Sequence, residues 1–165
     1  MSDSTIFKDG VVVERTFDAP IDIIWKMWTE PEHFKIWYGP KGFTVPITEM
    51  DVQVGGKHLF CMEMQTPNGS RKMWSTGEYR EVVPQTRLVY SDSQADEHGN
   101  VVPSPDEANY PTTTEVTVLL EDLGGRTKMT MKHAGVPTAE GGASSGWEQA
   151  FAKMGEHIAN IIKQK

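Results

Sequence analysis

The chain has 165 residues, 38% of them hydrophobic and 24% charged, with a formal net charge of −7. That length suits one domain, and the composition is that of a globular protein rather than a disordered one. The acidic balance argues against a nucleic-acid surface, the single cysteine excludes an internal disulfide or a multi-cysteine zinc site, and no apolar run reaches the roughly 20 residues of a membrane helix.

Residues 1–10 form a polar tail without the apolar run of a signal peptide, so the expectation is a cytoplasmic protein with no membrane insertion. One domain then occupies residues 11–163. Val11 to Phe17 is β-branched and reads as a first strand. Asp18 or Ala19 is expected near the cap of a helix with Pro20 in its first turn. Ile21, Ile24, Trp25 and Trp28 follow at i, i+3, i+4 and i+7 and make one apolar face. Pro31 interrupts, Glu32 to Trp37 predicts a second short helix, and Gly39-Pro40-Lys41-Gly42 stops it.

Strand texture begins at Phe43. After Val54-Gly55-Gly56, His58, Phe60, Met62 and Met64 alternate with Leu59, Cys61, Glu63 and Gln65. Pro67-Asn68-Gly69-Ser70 is a hairpin turn, Arg71 to Val83 returns, and Arg87 to Ser91 leaves again. Residues 92–111 are acidic and proline-rich and read as a long loop or flap. Thr113 to Glu121 and Arg126 to His133 form a hairpin around Leu123-Gly124-Gly125. On its second strand, lysines mark the outer face and Met129, Met131 and His133 the inner one. A last helix carries Trp147, Ala150, Phe151, Met154, Ile158, Ile161 and Ile162 on one stripe, with Glu148, Lys153, Glu156 and Lys163 away from it.

This order predicts an α+β domain: a curved antiparallel sheet of six to seven strands wrapped around a long C-terminal helix, with two short helices after the first strand. A helix laid across a curved sheet leaves gaps of the kind ligands occupy.

Ala19-Pro20, Pro31-Glu32-His33, Trp37-Tyr38-Gly39-Pro40 with Gly42-Phe43, Val54-Gly55-Gly56, Gly77 to Pro84, Arg87 to Tyr90, His133-Ala134-Gly135 and Gly146-Trp147 together resemble the START-related helix-grip (SRPBCC) superfamily. Within it, the chain looks most like the branch named after the activator of a heat-shock-protein ATPase, homologue-1-like. The resemblance spans about Val11 to Ile162. It implies the helix-grip fold and a cavity. Members of the superfamily include lipid- and hormone-binding proteins, polyketide cyclases, self-resistance proteins and co-chaperone domains, so function must be argued from the site.

Candidate cavity residues are the methionines Met62, Met64, Met129, Met131 and Met154, whose flexible thioethers either line a cavity or fill the core. Trp37 and Trp147 either flank a pocket mouth or pack internally, whereas Trp25 and Trp28 anchor the first helix. His58 and His133 face inward, as core histidines or as ligand contacts, and Tyr79 joins them if Glu78 and Arg80 face solvent. Phe60 and Phe151 complete the expected wall. No metal-ligand spacing, phosphate loop or recognisable catalytic set occurs, so no metal, cofactor or catalytic residue is expected. The leading expectation is binding of a small hydrophobic or aromatic molecule between sheet and C-terminal helix. The alternatives are a polyketide cyclase or dehydratase-type enzyme using the same cavity, and a co-chaperone-like interaction module. The third is weakened because the chain starts almost directly with the first strand. A homodimer is compatible with the sequence, but no motif specifies one.

Overall fold

The structure, a computed structural model, describes residues 10–105, 111–136 and 142–163. Strand β1 (Gly10–Phe17) buries Val11, Val13 and Phe17 and exposes Val12, Glu14 and Thr16. It pairs antiparallel with β7 (Thr127–Ala134), placing Val13 opposite Met131 and Phe17 opposite Thr127.

Helices α1 (Ile21–Thr29) and α2 (Pro31–Trp37) follow. The expected start of α1 is corrected by one residue. Pro20 itself is the cap, with an extended ψ of 157°, and its carbonyl accepts the Ile23 N–H at 3.1 Å. The Ala19 carbonyl is already taken by the Thr127 hydroxyl at 2.9 Å, which ties the turn to β7. The buried face of α1 is Ile23, Ile24, Met27 and Trp28, with Trp25 only half-buried. That face is rotated from the expected stripe because α2 folds back onto it. Trp28 meets Trp37 edge-on at 4.7 Å between centroids, and the Trp37 indole donates to the Met27 carbonyl at 2.9 Å.

The remaining strands are β2 (Thr44–Met50), β3 (Lys57–Thr66), β4 (Gly69–Val83), β5 (Arg87–Ala95) and β6 (Thr113–Asp122). All seven form one curved antiparallel sheet in the order β1-β7-β6-β5-β4-β3-β2. Helix α3 (Gly142–Lys163) packs on its concave face, burying Ala150, Phe151, Met154 and Ile158 in one core with Val13, Phe17, Val118, Met129, Met131 and the buried face of α1. Burial of each large side chain there contributes about 1.5–3 kcal/mol.

The loop expected from Asp92 begins later. Because β4 is 15 residues long, its Trp74, Ser75 and Thr76 pair with Ala95, Gln94 and Ser93, so residues 92–95 are strand. Asp96 then organises a tight turn, accepting the backbone N–H groups of His98 at 2.9 Å and Asn100 at 3.0 Å, and Val101 returns to pair with Ala95. Residues 106–110 of the expected flap lie outside the described residues.

Candidate functional site

The turn after α2 forms one wall of the site. Gly39 has φ +88°, and a Cβ there would stand 2.9 Å from the Met62 sulfur, so the chain passes close over β3 only as glycine. Lys153 of α3 locks this turn from below. Its ammonium donates to the carbonyls of Tyr38, Pro40 and Phe43 at 3.5, 3.2 and 3.4 Å. Desolvation lowers its pKa, and the three carbonyls accept the charge. Gln149 of the same helix accepts the Lys41 backbone N–H at 3.0 Å.

Between this turn, the first turns of α3 and the sheet lies a cavity of about 250 Å³. Tyr38, Gly39 and Pro40 line it from the turn, Met62, Asp92 and His133 from the sheet, and Gly146, Trp147 and Ala150 from the helix. A second hollow of about 350 Å³ lies beyond Asp92, against Gln94, Val102, Ser104, Thr112 and Thr114. Asp92 is common to both walls.

His133 is held by a directed chain of hydrogen bonds. The Trp147 indole, which can only donate, gives its proton to His133 Nδ1 at 3.0 Å. The proton of the neutral ring must then sit on Nε2, which lies 2.9 Å from the Thr114 hydroxyl. Thr114 passes its own proton to the Asp92 carbonyl at 3.1 Å. Burial lowers the His133 pKa to about 4, so the ring is neutral at physiological pH.

Asp92 owes its position to a break in the sheet. Beside it, each Ser91 bond toward β3 and β4 involves a side chain: its carbonyl accepts from His58 Nε2 at 2.8 Å, and its hydroxyl accepts the Glu78 backbone N–H at 3.0 Å. Gly77 makes room, since a Cβ there would collide with the Ser91 carbonyl and come within 2.6 Å of His58 Nε2. Because a carbonyl only accepts, His58 carries its proton on Nε2. Its Nδ1 is buried without a partner among the described residues, and desolvation lowers its pKa to about 4. Asp92 Oδ1 lies 4.0 Å from His58 Nε2 and is also buried without a partner among the described residues. Desolvation raises the Asp92 pKa to about 7, partly offset by a hydrogen bond from Ser75. The neighbouring phenols of Tyr38, Tyr79 and Tyr90 are all raised, first by burial and then by the Asp92 charge or by one another.

Of the residues proposed from sequence, Met62, His133 and Trp147 meet at the cavity. The other candidates sit elsewhere. Met129, Met131 and Met154 are wholly buried core, and the Trp28 indole donates to the Met129 sulfur at 3.3 Å. Trp37, Phe60 and Phe151 are core as well. Tyr79 is buried, with Glu78 and Arg80 exposed on either side. His58 lies behind Asp92, stacked on Phe60 with centroids 4.3 Å apart. Met64 lies half-buried, two residues past the cavity. Sequence reasoning missed Asp92, Tyr38 and Lys153. The Leu88, Tyr90, Asp92 alternation, continued past Ser91, was the available signal for Asp92.

Among the described residues the wall is thus mostly apolar and aromatic, holds no lysine or arginine, and offers one carboxyl able to exchange a proton near neutrality. Among the described residues, no group of three or more His, Cys, Asp or Glu is arranged to hold a metal ion, and no helix is long and apolar enough to cross a membrane.

Solved structures share this architecture. A protein from Nitrosomonas europaea matches with a TM-score of 0.75 at 21% identity, covering 93% of this chain and 96% of its own. The AHSA1 protein from Silicibacter pomeroyi matches at 0.74 and 16% identity, covering 93% and 99%. A protein from Arthrobacter aurescens matches at 0.72 and 26% identity, covering 92% and 86%. No curated protein matches the chain. The family model for activator of Hsp90 ATPase homolog 1-like protein matches residues 18–159, from the turn before α1 almost to the end of α3. A match of that extent, on a helix-grip sheet with its cavity under the last helix, places the chain in the activator of Hsp90 ATPase homolog 1-like family.

Proposed function

We propose that the chain binds a small, largely apolar or aromatic molecule in the cavity between the sheet and α3. The carrying observation is the cavity itself: about 250 Å³, walled by Tyr38, Pro40, Met62, Trp147 and Ala150 beside the buried aromatic core. That volume is slightly below the roughly 300–1,000 Å³ of sites for drug-sized ligands, so the guest is small. Trp147 stands in the wall and reports occupancy by its fluorescence. Titration with apolar probes should shift its emission, and Ala150→Leu, which fills the space, should weaken binding at least tenfold. Unchanged binding in a folded Ala150→Leu protein would place the guest elsewhere.

Asp92 favours a second reading, an enzyme of cyclase or dehydratase type. A carboxyl with a pKa of about 7 in an apolar cavity is suited to general acid–base work. Any turnover found in a metabolite screen should then show a pH break near 7 that disappears in Asp92→Asn.

A further inference from the structure

We propose that the guest is a small organic cation, an aromatic or apolar body carrying one protonated amine that pairs with the Asp92 carboxylate. The inference rests on the cavity being the binding site and adds the charge of what it takes.

Three observations converge on it. First, Asp92 Oδ1 is buried in the wall with no partner among the described residues, which leaves an acceptor waiting for a donor. Second, none of the described residues that line the cavity carries a positive charge to receive an anion. Among the described residues no lysine or arginine lines it, the His133 Nε2 proton is engaged with Thr114, and Lys153 is committed to three carbonyls. The net charge of −7 repels anions further. Third, the remaining walls are aromatic and thioether surfaces from Tyr38, Trp147 and Met62, which suit the body of such a molecule and tolerate a nearby cation.

Among the described residues that line the cavity, Asp92 is the one carboxyl. His58 of β3 stands 4.0 Å away as a neutral ring. Tyr79 of β4, Tyr90 of β5 and Tyr38 after α2 are phenols raised by burial, and neutral His133 of β7 reaches Asp92 only through Thr114 of β6. Free Asp92 is mostly protonated below pH 7. Pairing with an ammonium requires the carboxylate, so binding below pH 7 releases one proton.

The test uses the whole protein and three probes with the same ring: 2-phenylethylamine, 2-phenylethanol and 3-phenylpropanoate. Calorimetry at pH 7.5 should rank the amine at least tenfold above the alcohol, with the carboxylate weakest. In Asp92→Asn, the amine-to-alcohol ratio should fall to near one. If that variant does not fold, the wild-type protein supplies the same readout. Between pH 8 and 5.5, amine affinity should be flat and then fall toward tenfold per unit below pH 7, while alcohol affinity stays level. Equal binding of amine and alcohol, or preference for the carboxylate, overturns the cation assignment and leaves the cavity reading standing. Failure of all three probes to bind overturns both.

Discussion

The indole of Trp147 on α3 donates to Nδ1 of His133 on β7 at 3.0 Å, and that bond joins helix to sheet while fixing the tautomer of the imidazole. Protonating His133 on Nδ1 would put two donors face to face. Trp147→Phe should therefore release the tautomer, freeing Nδ1 to carry the proton, and cost about 0.5–1.5 kcal/mol of stability, while burial still holds the His133 pKa below 6.5. A nitrogen-15 NMR titration of the imidazole reads both tautomer and pKa. A histidine already titrating near 6.5 in the unaltered protein would contradict the arrangement.

Stability should depend on pH with a sign set by three buried groups. His58 and His133 have folded pKa values of about 4 against 6.5, so between those values only the unfolded chain binds their protons, and stability rises with pH. Asp92 works oppositely: with a folded pKa of about 7 against 3.8, it holds a proton that the unfolded chain has lost. Asp92→Asn removes this opposing contribution. The slope of unfolding free energy between pH 4.5 and 6.5 should steepen by about 1.4 kcal/mol per pH unit. Urea melts at several pH values measure it, and parallel slopes for the two proteins would show that Asp92 ionises normally.

Gly77→Ala should be severely destabilising, by about 3 kcal/mol or more, because its methyl group meets the Ser91 carbonyl and the His58 ring together. Gly55→Ala has open space around its Cβ and serves as the comparison, although its positive φ of 87° still carries some strain. Chemical denaturation of both variants decides the matter. A Gly77→Ala protein as stable as its comparison would mean that His58 does not occupy the space over Ser91.

Lys153→Met keeps most of the stem and removes the ammonium from three carbonyls. A loss of about 1–3 kcal/mol is expected, with faster amide exchange confined to the turn around Gly39 to Phe43. Uniform exchange changes across the protein would instead indicate a general loss of packing.

The inward face of β7 was legible because Lys128 and Lys132 name the other face, leaving Met129, Met131 and His133 nowhere but inside. Whether an inward methionine meets core or cavity was not legible. Met129 and Met131 pair with Arg15 and Val13 of the edge strand β1 and are wholly buried, whereas Met62 is distinguished by its closeness to Gly39, a turn more than twenty residues earlier. Asp92 was hidden for a similar reason. Its local neighbourhood is acidic and proline-rich, and only the length of β4 across the sheet shows that the strand continues through it. Lys153 looked like a solvent-facing residue because its acceptors lie over a hundred residues away. Periodicity reads which way a side chain points; it does not read what arrives opposite.

The sheet order also governs how the molecule assembles. β1 has no neighbour until β7 exists, since Gly10 pairs with Ala134 and Phe17 with Thr127. Such a high contact order favours folding in milliseconds to seconds rather than microseconds. At synthesis rates of about 5–20 residues per second, β1 emerges from the ribosome on the order of ten seconds before its partner. For that interval Val11, Val13 and Phe17 are unsheltered, and the nascent chain depends on keeping them from other chains' strands.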